Sequence, residues 1–208
     1  MRNFFYDLKF EMKEHFQKSK TIFIILFIFA LVGLVLGIFA ILSGTSFSGV
    51  LRYSDKNILN YISGSASTVS IFLSKLFESV VCFLLIYIFC LSSATALLSY
   101  VFFGYQNFLL AISCSVIIDI YGFPGVLNVA ILIIPINLAV IFVMALAISV
   151  ARIRAMEAKK YNEPLSASFK MSGFYKKYLI VFLLMIVVCL IYSFIMPLLL
   201  KSFLLILY

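Results

Sequence analysis

Charge is what this sequence has least of. Asp, Glu, Lys and Arg together make up 12% of its 208 residues, against about a quarter in ordinary soluble domains. Histidine is reduced to His15, so the H-E-x-x-H zinc motif is excluded. The nucleophile elbow G-x-S-x-G, the phosphate-binding P-loop and a pair of intramembrane aspartates are also missing. Cys82, Cys90, Cys114 and Cys189 show no C-x-x-C spacing and no His or acidic neighbour in register, which argues against a disulfide or a metal site. They read instead as small apolar thiols inside spans. These absences predict a chain that is not an enzyme and holds no cofactor or metal. Long polar loops are lacking too. No stretch reaches the roughly 50 residues of an independent domain, so residues 1–208 read as a single membrane domain.

What is abundant is apolar surface. Hydrophobic residues make up 65% of the chain, gathered in runs at 21–42, 79–103, 108–120, 126–150 and 178–200. About 20 apolar residues in a helix match the hydrocarbon thickness of a bilayer, and four of the five runs reach that length. In lipid the backbone must satisfy its own polar groups, which leaves helices or a closed barrel. The runs lack the period-2 alternation of a barrel. The fold class is therefore all-α: a polytopic helical membrane protein with about five transmembrane helices plus short interfacial helices. The first run is longer than the 7–15 residues of a signal-peptide core and has no A-x-A site, so it reads as retained.

Between the runs lie the ordering signals. In residues 1–20, Phe5, Leu8, Met12 and Phe16 fall on one helical face among lysines, the pattern of a cytoplasmic amphipathic helix on an anionic leaflet. Within 43–74, Asp55 can cap a short helix carrying Ile58, Leu59, Tyr61 and Ile62, ended by Gly64. Lys75 and Glu78 open the second span at i and i+3, close enough to pair. Tyr105-Gln106-Asn107 reads as a turn between the second and third spans. Gly122-Phe123-Pro124-Gly125 reads as the turn of an antiparallel hairpin, with a re-entrant third run as the alternative because that run is short. In the basic loop from Ala151 to Lys177, Asn162 and Pro164 can start a helical segment that Gly173 closes.

Orientation follows from the basic residues. With five spans, one side carries twelve Lys and Arg and the other four, which places the N-terminus in the cytoplasm and the C-terminus outside. The net charge of +8 is thus a topology signal, not one for nucleic acid. Inside the spans, polar positions are few. Asp119 falls near the outer surface. Pro135 removes a hydrogen bond and predicts a kink or local unwinding near Ile131. Asn137 needs a partner, because an unpaired amide in hydrocarbon is costly. Gly33-x-x-x-Gly37 permits close approach of another helix, a motif that also arises by chance.

The order of these features resembles the stage II sporulation protein M family of bacterial integral membrane proteins. Five parts carry the likeness: the charged N-terminal helix, the outer segment Asn57–Ile62, a Gly-bearing turn Phe102-Phe103-Gly104-Tyr105, the turn Tyr121–Leu127, and the span around Ile134-Pro135-Ile136-Asn137-Leu138. Many family members have His and Gly after this proline and then a Glu. This chain has Ile136 and Asn137, with Val140 or Ile141 where the acid would stand, so no role of that acid transfers. The resemblance implies a scaffold of the engulfment machinery in endospore formation, anchoring or localising extracytoplasmic peptidoglycan hydrolases or other membrane proteins. On that reading Ile58, Leu59 and Ile62 are the partner contact, and the lipid bilayer is the other partner. The alternative is a small permease or the membrane subunit of a transporter, using Asp119, Asn137 and Gln106 along a cavity.

Overall fold

The computed structural model describes residues 2–43, 67–89, 95–160 and 172–207. These form six α-helices, here α1 (Arg2–Leu42), α2 (Thr68–Phe89), α3 (Ala96–Tyr121), α4 (Phe123–Asn128), α5 (Ile134–Lys160) and α6 (Ser172–Leu207), with a π-helical turn, Val129–Ile133, between α4 and α5. Five segments are long and apolar enough to cross a membrane: Gln17–Leu42, Thr68–Phe89, Ala96–Asp119, Asn137–Met156 and Lys176–Ile195. The protein is a polytopic helical membrane protein.

Side-chain contacts fix the relative direction of every span. Phe29 stacks on Tyr100, and Gly33 and Gly37 then meet Gly104 and Phe108 in the same order, so α1 and α3 run parallel. Phe89 packs on Phe102 while Cys82 meets Gln106, which makes α2 antiparallel to α3. Gly125 lies against Ile117 and Arg152 against Tyr100, so the chain after Gly122 runs back along α3. Lys75 faces Tyr192 and Phe83 faces Tyr178 and Phe182, so α6 is antiparallel to α2. The five spans alternate in direction, and the first and last helices leave the bundle at opposite ends.

The spanning part of α5 lies at the centre. It is 56% buried within the chain, against 22% for the outer spans of α1 and α6. Its sequence explains this: Ala145, Ala147 and Ala151 present little side-chain volume, so neighbouring helices close in around it. The core is completed by Leu26 from α1, Phe83 and Ile86 from α2, Tyr100 and Phe103 from α3, and Met185 from α6. Tyr178 donates to the Phe83 carbonyl at 2.8 Å and ties α6 to α2. The opposite faces of α1, α2 and α6 expose Phe27, Phe39, Phe77 and Phe194, as lipid contact requires.

Several boundaries differ from the sequence reading. The runs 79–103 and 108–120 are not two spans. The helix α2 is described to Phe89, and Ala96–Tyr121 is one helix of 26 residues. Tyr105-Gln106-Asn107 is therefore no turn. Gly104 is helical and serves packing, and Asn107, only 2% exposed, donates to the Phe103 carbonyl at 2.8 Å. A full-length third span removes the reason for a re-entrant one. It also means that the Phe102–Tyr105 part of the family resemblance does not exist as a turn.

The first span likewise grows backward. α1 is continuous for 41 residues with no break at Lys20, because no proline stands between Arg2 and Leu42. Residues 2–20 are the first half of this helix and run into the span without a break. The second span starts at Thr68, where the Ser67 hydroxyl accepts from the Ser70 amide at 3.1 Å, so Lys75 and Glu78 lie two turns inside α2 and do not open it. Their ion pair forms as expected, at 2.8 Å. Gly173 stands in the first turn of α6 and closes no segment. The Gly122 turn forms as read: φ is +61° and ψ −135°, a conformation open to glycine, and its amide bonds the Ile118 carbonyl.

Candidate functional site

Pro135 and Asn137 sit where α5 begins. A proline at 135 lacks the donor for the Ile131 carbonyl, and the helix immediately before it is widened into the π turn Val129–Ile133. The local unwinding expected near Ile131 is there. Asn137, partly buried, donates through Nδ2 to the Ile133 carbonyl at 2.8 Å, so its amide is satisfied by the rim of that turn and reaches no other helix by this bond. Asp119 is exposed near the end of α3. No hydrogen bond or ion pair joins Asp119 to Asn137 among the described residues. The segment containing Ile58, Leu59 and Ile62, with Asp55 and Gly64, lies outside the described residues, as do Asn162 and Pro164.

The Gly33-x-x-x-Gly37 motif has a definite partner. A Cβ on Gly33 would fall on the Gly104 carbonyl oxygen, and one on Gly37 would lie 2.7 Å from both Phe108 O and Ala111 Cβ. The seam between α1 and α3 is thus a backbone contact made possible by glycine on both sides.

Buried hydroxyls and amides mostly turn onto their own helices. Ser79 donates to Lys75 O, Ser99 to Ala96 O, Ser149 to Leu146 O and Ser193 to Leu190 O, all within 3.0 Å. Ser113 and Asn107 do the same. Between helices, Ser79 Oγ meets Cys189 Sγ at 3.3 Å, and Lys75 rests over the Tyr192 ring at 5.4 Å. Cys82, Cys114 and Cys189 are free thiols, and no group of three metal-ligating side chains occurs among the described residues.

The polar feature that sequence reasoning missed is at the other end of the central helix. Arg152 and Arg154 fall in the basic loop that the sequence predicts from Ala151 to Lys177, yet both belong to α5. Arg152 Nε donates to the Tyr100 hydroxyl at 3.2 Å, and its guanidinium carbon stands 5.5 Å from the Tyr100 ring centroid. Arg154 is only 7% exposed. Buried Ser19, Ser99 and Ser149 occupy the same end of the bundle, together with exposed Lys18, Lys20, Lys176 and Lys177. The signal for it was present in the sequence: no helix breaker separates Val150 from Lys160, so the helical pattern of the span carries both arginines inward. Compared with known proteins, the chain matches no family model, no curated protein and no solved structure.

Proposed function

We propose that this protein is a non-enzymatic membrane scaffold, with its N-terminus in the cytoplasm and its C-terminus outside, that anchors peptidoglycan-degrading partners at the outer face, as in engulfment during endospore formation. The observation that carries the reading is that most buried hydroxyls and side-chain amides are satisfied by nearby backbone. Ser79, Ser99, Asn107, Ser113, Asn137, Ser149 and Ser193 all donate to backbone carbonyls three or four residues back in the chain. A transport pathway uses polar groups turned toward a shared cavity. Here they are spent on local backbone, and the bundle between them is filled by Phe, Leu, Ile and Ala. The orientation is supported by the gathering of Lys18, Lys20, Arg152, Arg154, Lys176 and Lys177 at one end of the bundle.

Affinity capture from solubilised membranes tests this. Extracytoplasmic wall hydrolases should co-purify with the wild-type chain. Replacing Ile58, Leu59 and Ile62 together with Ser removes an apolar face worth about 1.5–3 kcal/mol per fully buried side chain. That variant should lose the partner at normal membrane abundance. Asp119→Asn and Asn137→Ala should keep it. Co-purification of a cytoplasmic ATPase, with loss of function in Asp119→Asn and none in the triple variant, would instead establish a permease.

A further inference from the structure

We infer that Arg152 and Tyr100 form a headgroup site for an anionic phospholipid at the basic end of the bundle. The guanidinium is held on one side only. Nε is spent on the Tyr100 hydroxyl and the plane lies near the Tyr100 ring, while Nη1 is buried with no acceptor among the described residues. A charged donor removed from water without an acceptor costs more than the loss of an ordinary hydrogen bond. Of the carboxylates whose side chains are described, Glu78 stands midway along α2 and paired with Lys75, and Asp119 stands at the far end of α3, so neither serves it; Glu157 follows five residues further along α5. A phosphate oxygen matches the planar fork of donors that Arg presents.

The surroundings select a lipid over a free anion. In the antiparallel register set by the Tyr100–Arg152 contact, Leu97 of α3 comes level with Met156 of α5. Both are exposed, at 61% and 58%. An apolar rim beside a half-satisfied guanidinium suits a molecule with a phosphate at one end and acyl chains at the other. Lys18 and Lys20 of α1 stand further out at the same end, eleven and nine residues before the Phe29 that stacks on Tyr100, and make that end of the bundle electropositive, as where basic pockets between spans hold anionic headgroups. The site does not depend on the scaffold reading.

The test uses the full chain in nanodiscs of phosphatidylcholine mixed with phosphatidylglycerol, with the retained lipids read by native mass spectrometry. Wild-type protein should retain phosphatidylglycerol over phosphatidylcholine by about tenfold, the worth of one charge-assisted hydrogen bond. Arg152→Gln should abolish most of that preference, and Lys176→Gln, which alters an exposed charge at the same end, should leave it. If Arg152→Gln does not accumulate, Arg152→Lys keeps the charge but not the fork and should lose the preference several-fold. Equal retention of both lipids by the wild type overturns the site, as does an Arg152→Lys variant that behaves like wild type. Displacement of phosphatidylglycerol by inorganic phosphate alone would make it a free-anion site and overturn the lipid assignment. A preference that appears only in Glu157→Gln would identify that carboxylate as the counter-ion and overturn it equally.

Discussion

A methyl group at Gly33 has no room, and one at Gly122 has room but the wrong backbone. At Gly33 the added Cβ meets the Gly104 carbonyl, so the helices must separate. At Gly122 nothing lies within 4 Å, yet φ of +61° is strained for any L side chain. Both Gly33→Ala and Gly122→Ala should therefore destabilise the protein, the first by about 1–3 kcal/mol through overpacking and the second by about 1–2 kcal/mol through strain. Unfolding in mixed micelles measures both. A second substitution separates the causes: Gly33→Leu should be far worse than Gly33→Ala, whereas Gly122→Leu should cost little more than Gly122→Ala. A Gly33→Leu variant as stable as wild type would dissolve the proposed seam between α1 and α3.

At the scale of elements, Pro135 is the feature with a visible consequence. Pro135→Ala restores a donor opposite the Ile131 carbonyl and should tighten Val129–Ile133 toward an α-helix, turning α4 by roughly 100° relative to α5. Spin labels at Leu127 and Leu138, both exposed, should report a changed separation. An unchanged one would mean that the packing of Gly125 on Ile117 holds the π turn and the proline merely tolerates it. The π turn and the Gly122 break were legible because proline and glycine act through the local backbone. The break between α2 and α3 was not. Tyr105, Gln106 and Asn107 look like loop residues, and only their neighbours reveal why they are not: Gln106 meets Cys82 and Asn107 its own backbone. Length held the better clue. A 13-residue run at 108–120 cannot span, whereas Thr68–Phe89 and Ala96–Tyr121, on either side of the sequence that holds Ser92, Ser93 and Thr95, are helices of 22 and 26 residues. The Thr95 hydroxyl, just before α3, donates to the Phe89 carbonyl at the end of α2 at 2.8 Å. Arg152 was missed for a related reason: a charge after a span reads as loop until the helix is seen to continue through it.

For the molecule as a whole, the five alternating spans bring Leu42 and Thr68, which flank the segment 44–66, to one end of the bundle and Lys160 and Ser172, which flank the segment 161–171, to the other. In a background with Cys82, Cys90, Cys114 and Cys189 replaced, single cysteines in the first segment should react with an impermeant thiol reagent in intact cells. Those in the second should stay unlabelled until the membrane is opened. The reverse pattern would invert the orientation that the basic residues support, and labelling of both segments would break the five-span topology. The charge asymmetry is a whole-chain property and was readable without any structure. The parallel pairing of α1 with α3 was not, because a glycine motif announces that some helix comes close but not which one.

That pairing has a consequence in time. Gly33 and Gly104 are separated by about 70 residues of chain, and synthesis at about 5–20 residues per second leaves roughly 4–14 s between their arrivals. During that interval the first helix is in the bilayer with its glycine face uncovered, and α2, which emerges next, is not its main partner. The order of synthesis therefore differs from the order of packing. A nascent chain halted after α2 should expose the Gly33–Gly37 face to whatever small-residue helix or insertion factor is nearby, and photo-crosslinkers at Gly33 should capture such neighbours in the halted chain and lose them once α3 has been made.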